Sequence, residues 1–98
     1  MTRIELAPEL GEDFDRIFEH LASHASPDPA ARIEEIIQAF DVLETNPLIG
    51  RALAGDTREL VIGRRSHGYV ALYGYAAGID TVFILALRGQ REAGHRRG

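Results

Sequence analysis

At 98 residues and 45% hydrophobic content, the chain is too apolar for a disordered segment and has the length of one domain. It has no cysteine, which excludes disulfide and thiolate chemistry, and Met1-Thr2-Arg3-Ile4-Glu5 lacks the apolar stretch of a signal peptide. The net charge of −4 averages two unlike halves: residues 1–49 carry eleven acids and three arginines, residues 50–98 four acids and eight arginines. All eleven basic residues are arginine, a side chain that grips phosphates and carboxylates through paired hydrogen bonds. The cationic half suggests an anionic partner, although two halves that attract each other would give the same split. No apolar run approaches the roughly 20 residues that cross a bilayer. The expectation is a soluble cytoplasmic protein with no membrane contact. So small a domain buries only about two-thirds of its chain surface, and a partner covering apolar area would stabilise it.

Residues 2–6 read as a short first strand. Ala7-Pro8-Glu9 opens a helix, with proline in the first turn and acids following. Its stripe is Leu10, Phe14, Ile17, Phe18, Leu21 and Ala25. Ser26 reads as the N-cap of a second helix with Pro27 at its first position, and Ile33, Ile36, Ile37, Phe40 and Leu43 form its apolar face. Asn46-Pro47 ends it. Residues 47–56 read as a loop, 58–62 as a strand, 63–68 as its loop and 69–75 as the next strand. In the latter, Tyr69, Ala71, Tyr73 and Tyr75 share one face. A turn over 76–80 leads to residues 81–88, almost wholly apolar and placed at the sheet centre, buried on both faces for most of their length. From Gly89 on the chain reads as a tail or short helix, frayed over 95–98. The order β-α-α-β-β-β predicts an α+β fold over one domain, 1–98: a mainly antiparallel twisted sheet with an antiparallel helical hairpin on one face.

Arg51, Arg58, Arg64, Arg65, Arg88 and Arg91 all fall near the ends of the C-terminal strands or in their loops, where a cationic patch can converge. Scattered solvated arginines, paired with Glu59, Glu92 and the helix acids, are the competing reading. Tyr73 is expected to pack under a helix, whereas Tyr69 could pack or stack on a partner. His20 and His24 have the spacing of a metal pair but no third ligand, so a solvated helix face is preferred and no metal or other cofactor is expected. His67, in a Ser-His-Gly turn, has no nucleophile system near it in sequence.

Several words in the second half are jointly specific. They are Asn46-Pro47-Leu48-Ile49-Gly50-Arg51, Arg58-Glu59-Leu60-Val61-Ile62-Gly63, Gly68-Tyr69-Val70-Ala71-Leu72-Tyr73, Asp80-Thr81-Val82-Phe83-Ile84-Leu85-Ala86-Leu87-Arg88 and Gln90-Arg91-Glu92-Ala93-Gly94. Together they resemble the RelE/ParE superfamily of toxins from type II toxin–antitoxin modules, most of all its ParE, or plasmid-stabilisation, branch. The resemblance implies a toxin silenced by a cognate antitoxin encoded beside it, whose flexible segment folds over the working surface. The antitoxin, and not this chain, would bind operator DNA in a sequence-specific way.

RelE-like members cut mRNA on the ribosome, which needs cationic groups at the phosphate and proton shuttles at the ribose. In their pattern an arginine follows the Gly-Tyr of the third strand, where this chain has Val70. A tyrosine closes their motif near where His95 stands here, and Gly89 occupies the place of a histidine. The cleavage set therefore reads as dismantled. ParE-like members are associated with poisoning DNA gyrase by binding, and that is the expected activity. Arg51, Arg58, Arg64, Arg65, Tyr69, Arg88 and Arg91 would hold the target or the antitoxin. The alternative is an mRNA endonuclease with Arg58, Arg88, Arg91 and His95 as a rebuilt catalytic set. A third reading is a non-toxic protein that only binds an antitoxin.

Overall fold

The computed structural model describes residues 1–24, 28–63 and 68–90. The elements are β1 (Arg3–Leu6), α1 (Leu10–Ser23), α2 (Pro29–Ala39), a 3-10 turn (Phe40–Glu44), β2 (Arg51–Ala52), β3 (Thr57–Ile62), β4 (Tyr69–Ala76), a second 3-10 turn (Ala77–Ile79) and β5 (Thr81–Gly89). They build one five-stranded sheet in the order β1-β5-β4-β3-β2, with the helices packed on one face. The expected α+β architecture is therefore present. β1 pairs with β5 in parallel and every other pairing is antiparallel, so the sheet is mixed.

The helices form where their stripes allow. Leu10 and Ile17 of α1, Ile36 of α2, and Phe40 and Leu43 of the following turn are buried against Ala71, Tyr73, Val82, Ile84 and Leu87 of the sheet. The second helix is capped by Asp28, whose carboxylate accepts from the Ala31 N–H at 3.1 Å, with Pro29 at its first position. The expected cap, Ser26, and Pro27 lie outside the described residues. Both dipeptides have the same cap-then-proline form, and the second sets the boundary. The helical stripe continues to Leu43 as predicted, but its last turn tightens to 3-10 geometry.

β2 was not expected. Two residues are too short to show alternation, and Arg51 and Ala52 are in the sheet because they pair with Glu59 and Arg58. β5 is a second correction. It is buried on one face, through Val82, Ile84 and Leu87, while Phe83 is exposed and Leu85 half-buried. The reason is that the helices pack on only one side of the sheet; a β-bulge then shifts the phase, since Tyr73 pairs with Ile84 but Leu72 with Ala86, which leaves Leu85 as the extra residue. Alternation restarts there, so Leu87 faces the core although it lies three residues beyond Ile84.

A polar knot closes the β4–β5 turn. Asp80, in the left-handed region at φ 50°, accepts from the Tyr75 hydroxyl at 2.6 Å and the Thr2 hydroxyl at 2.7 Å. These bonds, Tyr75 first, hold the Asp80 carboxyl below its ordinary value of 3.8. A carboxylate depressed on folding contributes stability that is complete above that ordinary value and lost as pH falls through the folded one. Urea denaturation of the wild type should therefore weaken more steeply on acidification than that of Asp80→Asn, which keeps the turn geometry but cannot titrate. Parallel pH profiles would rule this out.

Candidate functional site

The helices cover one face of the sheet, and among the described residues no element covers the other. Strand register assigns the residues of the open face. Thr57, Glu59 and Val61 of β3 stand beside Gly74, Leu72 and Val70 of β4, and these beside Phe83, Ala86 and Arg88 of β5. Val61 is 59% exposed and Phe83 36%. Arginines flank this apolar strip. Arg51 on the β2 edge pairs with Glu59 at 2.6 Å and remains 75% exposed at its side chain. Arg88 stands opposite Val70 near the end of β5, half-buried, and its guanidinium has no hydrogen-bond or ion-pair partner among the described residues. Three inter-strand steps of about 4.8 Å separate β2 from β5, so the two arginines stand on opposite sides of the strip.

Arg58 has a different position. It is paired with Tyr73, on the helix-side face, and its guanidinium donates to the carbonyls of Leu48 at 3.0 Å and Gly50 at 2.8 Å. It therefore clamps the loop before β2. Tyr73 holds the same loop from beneath: its hydroxyl donates to the Pro47 carbonyl at 2.8 Å and accepts the Gly50 N–H at 2.9 Å. Tyr73 is fully buried, as the alternation predicted. Tyr73→Phe is expected to lower stability by about 1–3 kcal/mol, since it strands a buried N–H and a carbonyl. Chemical denaturation would measure this, and a loss within error would mean that water replaces the hydroxyl.

Tyr69 shares the face of Tyr73 and packs, partly buried, against the core beside Ile62. Arg64, Arg65, Arg91, His67 and His95 lie outside the described residues. Of the arginines singled out in the sequence, the structure thus brings Arg51 and Arg88 to one face and turns Arg58 to the other. His20, on the exposed side of α1, and His24, its C-cap, have ring centroids 4.2 Å apart, with the His24 Nδ1 2.9 Å from the His20 carbonyl oxygen. No group of three or more metal-ligating side chains occurs among the described residues. No helix among them is long and apolar enough to cross a membrane.

Sequence reasoning missed Val61 and Phe83. Val61 carried a usable signal, an apolar residue among the outward positions Thr57 and Glu59 of an alternating strand. Phe83 sits in an unbroken apolar run, where no alternation marks the outer face. The arrangement offers an apolar floor between two cations, suited to a surface that is apolar at its centre and acidic at its rim.

Residues 4–94 match the family described as ParE toxin of type II toxin-antitoxin system, parDE. No curated protein matches the sequence. Among solved structures, the chromosomal ParDE system of P. aeruginosa superposes with a TM-score of 0.74 at 18% identity, over 91% of this chain and 96% of that one. The intact E. coli RelBE toxin–antitoxin complex gives 0.65 at 12% identity over 91% and 96% of the two chains. The isolated E. coli RelE toxin gives 0.61 at 13% identity over 99% and 97%. At these identities the likeness is one of fold.

Proposed function

Because this chain belongs to the ParE toxin family of type II toxin–antitoxin systems, a branch of the RelE/ParE superfamily, we propose that it acts by binding DNA gyrase and is neutralised by a cognate antitoxin. The open face of the sheet is the contact surface. Arg51 and Arg88 supply charge, and Val61, Val70, Leu72 and Phe83 supply apolar area. Arg64, Arg65 and Arg91, which lie outside the described residues, are the further candidates to hold the target or the antitoxin. An antitoxin segment that folds on binding covers this strip and adds the burial that a small domain lacks.

The observation that carries a binding role over RNA cleavage is the register of Val70. It stands directly opposite Arg88, at the position where the RelE-like pattern has a second arginine. The Val70–Arg88 pair therefore presents one guanidinium and an isopropyl group where phosphate chemistry would be served by a cationic pair. The test is to incubate purified protein with gyrase and supercoiled or relaxed plasmid. Loss of supercoiling or trapped cleavage complexes is the expected result. Unchanged gyrase activity at saturating protein, or codon-phased cuts in translated mRNA by primer extension, would overturn the reading.

A further inference from the structure

Arg88 stands on the open face of the sheet, and the residue before it, Leu87, is held from the helix side. β1 accompanies β5 only as far as the Leu6–Ile84 pair, and the Ala7 N–H closes that contact on the Ile84 carbonyl at 2.9 Å. The chain then turns into α1, and among the described residues β5 continues without a strand on that side. Leu87 lies in this uncovered stretch, and its two backbone groups are met by side chains. Asp13 Oδ2 accepts the Leu87 N–H at 2.9 Å, and Arg16 Nη2 donates to the Leu87 carbonyl at 3.0 Å. Three residues apart on one helix face, the two are also paired to each other, Arg16 Nη1 to Asp13 Oδ1 at 2.9 Å. They supply the acceptor and the donor that a neighbouring strand would have supplied.

Resting on the reading of Arg88 as part of the contact surface, we propose that Asp13 and Arg16 are positioning residues that select the bulged register of β5 and so decide which face Arg88 presents. Without the extra residue Leu85, alternation from Ile84 would turn Leu87 outward and Arg88 into the core. A slip of one residue exchanges the two faces of a strand. The clamp engages Leu87, just beyond the bulge and immediately before Arg88, where it can hold one register against the other. A bulge disrupts the ladder locally, so the segment beyond it needs an independent hold. Merely shielding a bare strand edge against aggregation is the competing role for the pair.

The chain has no cysteine, so single thiols report which way each position points. In the full chain, a thiol reagent should modify Arg88→Cys quickly and Leu87→Cys slowly, with Val61→Cys as the exposed reference and Ile84→Cys as the buried one. In the Asp13→Ala/Arg16→Ala background the ratio of the Arg88→Cys to Leu87→Cys rates is expected to fall by about tenfold to a hundredfold, as loss of such bonds implies. Ile84→Cys should stay protected, which separates register change from unfolding. Asp13→Asn with Arg16→Lys, which keeps one acceptor and one donor, should restore the ratio. If the double alanine variant does not fold, the single substitutions give the same comparison. An unchanged ratio, including one accompanied by aggregation, overturns the proposal. Growth arrest by Arg88→Ala is scored separately: if it equals wild type, the contact-surface reading falls, whatever the labelling shows.

Discussion

Gly50→Ala is expected to lower stability by about 3 kcal/mol, a large share of the roughly 5–15 kcal/mol available to a domain of this kind. A Cβ at Gly50 would lie 2.6 Å from the Glu59 carbonyl oxygen and 2.7 Å from both Cε1 and the hydroxyl of Tyr73. Neither neighbour can swing away. The first is backbone paired into β2–β3, and the second is a ring with no exposed surface. The loop itself must move, and it is the loop that Tyr73 and Arg58 hold through the Pro47, Leu48 and Gly50 backbone. Displacement would break these bonds and strand a buried hydroxyl, so the clash and the lost bonds act together. At about 4–8 °C per kcal/mol, the melting temperature should fall by roughly 12–24 °C. Gly11→Ala makes the matched control: nothing lies within 4 Å of its added carbon, and it sits in α1. In the first turn of α1, where the interior propensity difference is only partly felt, that variant should gain less than about 0.5 kcal/mol. Thermal denaturation of both by circular dichroism decides, and equal melting temperatures would refute the packing account.

The sequence displays features whose cause is local and hides those whose cause is a partner distant in the chain. The helical stripes, the Asn46-Pro47 stop and the alternation of β4 were legible because each follows from neighbours a few residues away. Tyr73 was correctly read as packing, for the same reason. β2 was not legible, since it exists only through Glu59 and Arg58. Nor was the role of Arg58. An arginine at a strand end looks like a free cation until the Leu48 and Gly50 carbonyls appear before it. The bulge at Leu85 was hidden most thoroughly. Residues 81–88 are apolar on both sides of it, so a shift of phase leaves no trace in their pattern. The register becomes visible only through the pairing with β4, where Tyr73 meets Ile84 but Leu72 meets Ala86. The family words did what periodicity could not, by placing Arg88 and Val70 in one pattern before their pairing was known.

Arg88→Ala is expected to abolish growth arrest on induction while leaving the fold intact. The guanidinium stands on the open face, and its removal leaves no described donor or acceptor stranded. Stability should therefore change by no more than about 0.5 kcal/mol, the range of ordinary surface substitutions. Binding should respond differently. A charge-assisted hydrogen bond at an interface is worth about 1.5–3 kcal/mol, so affinity for gyrase should drop by roughly tenfold to more than a hundredfold. Net charge alone cannot account for such a loss, and Arg32→Ala tests that point. It removes the same charge from α2, on the helix side of the sheet, from a side chain that is 41% exposed and stands 4.0 Å from Glu35, where an ion pair contributes about 0–1 kcal/mol. Arg88→Lys should recover only part of the activity if the guanidinium binds a carboxylate in two-point fashion, because an ammonium group cannot reproduce that geometry. Raising salt should weaken the wild type more than Arg88→Ala, because the wild type carries the charge that salt screens. A fully toxic, normally folded Arg88→Ala would move the working surface away from the open face of the sheet. Toxicity lost equally in Arg32→Ala would reduce the effect to overall charge.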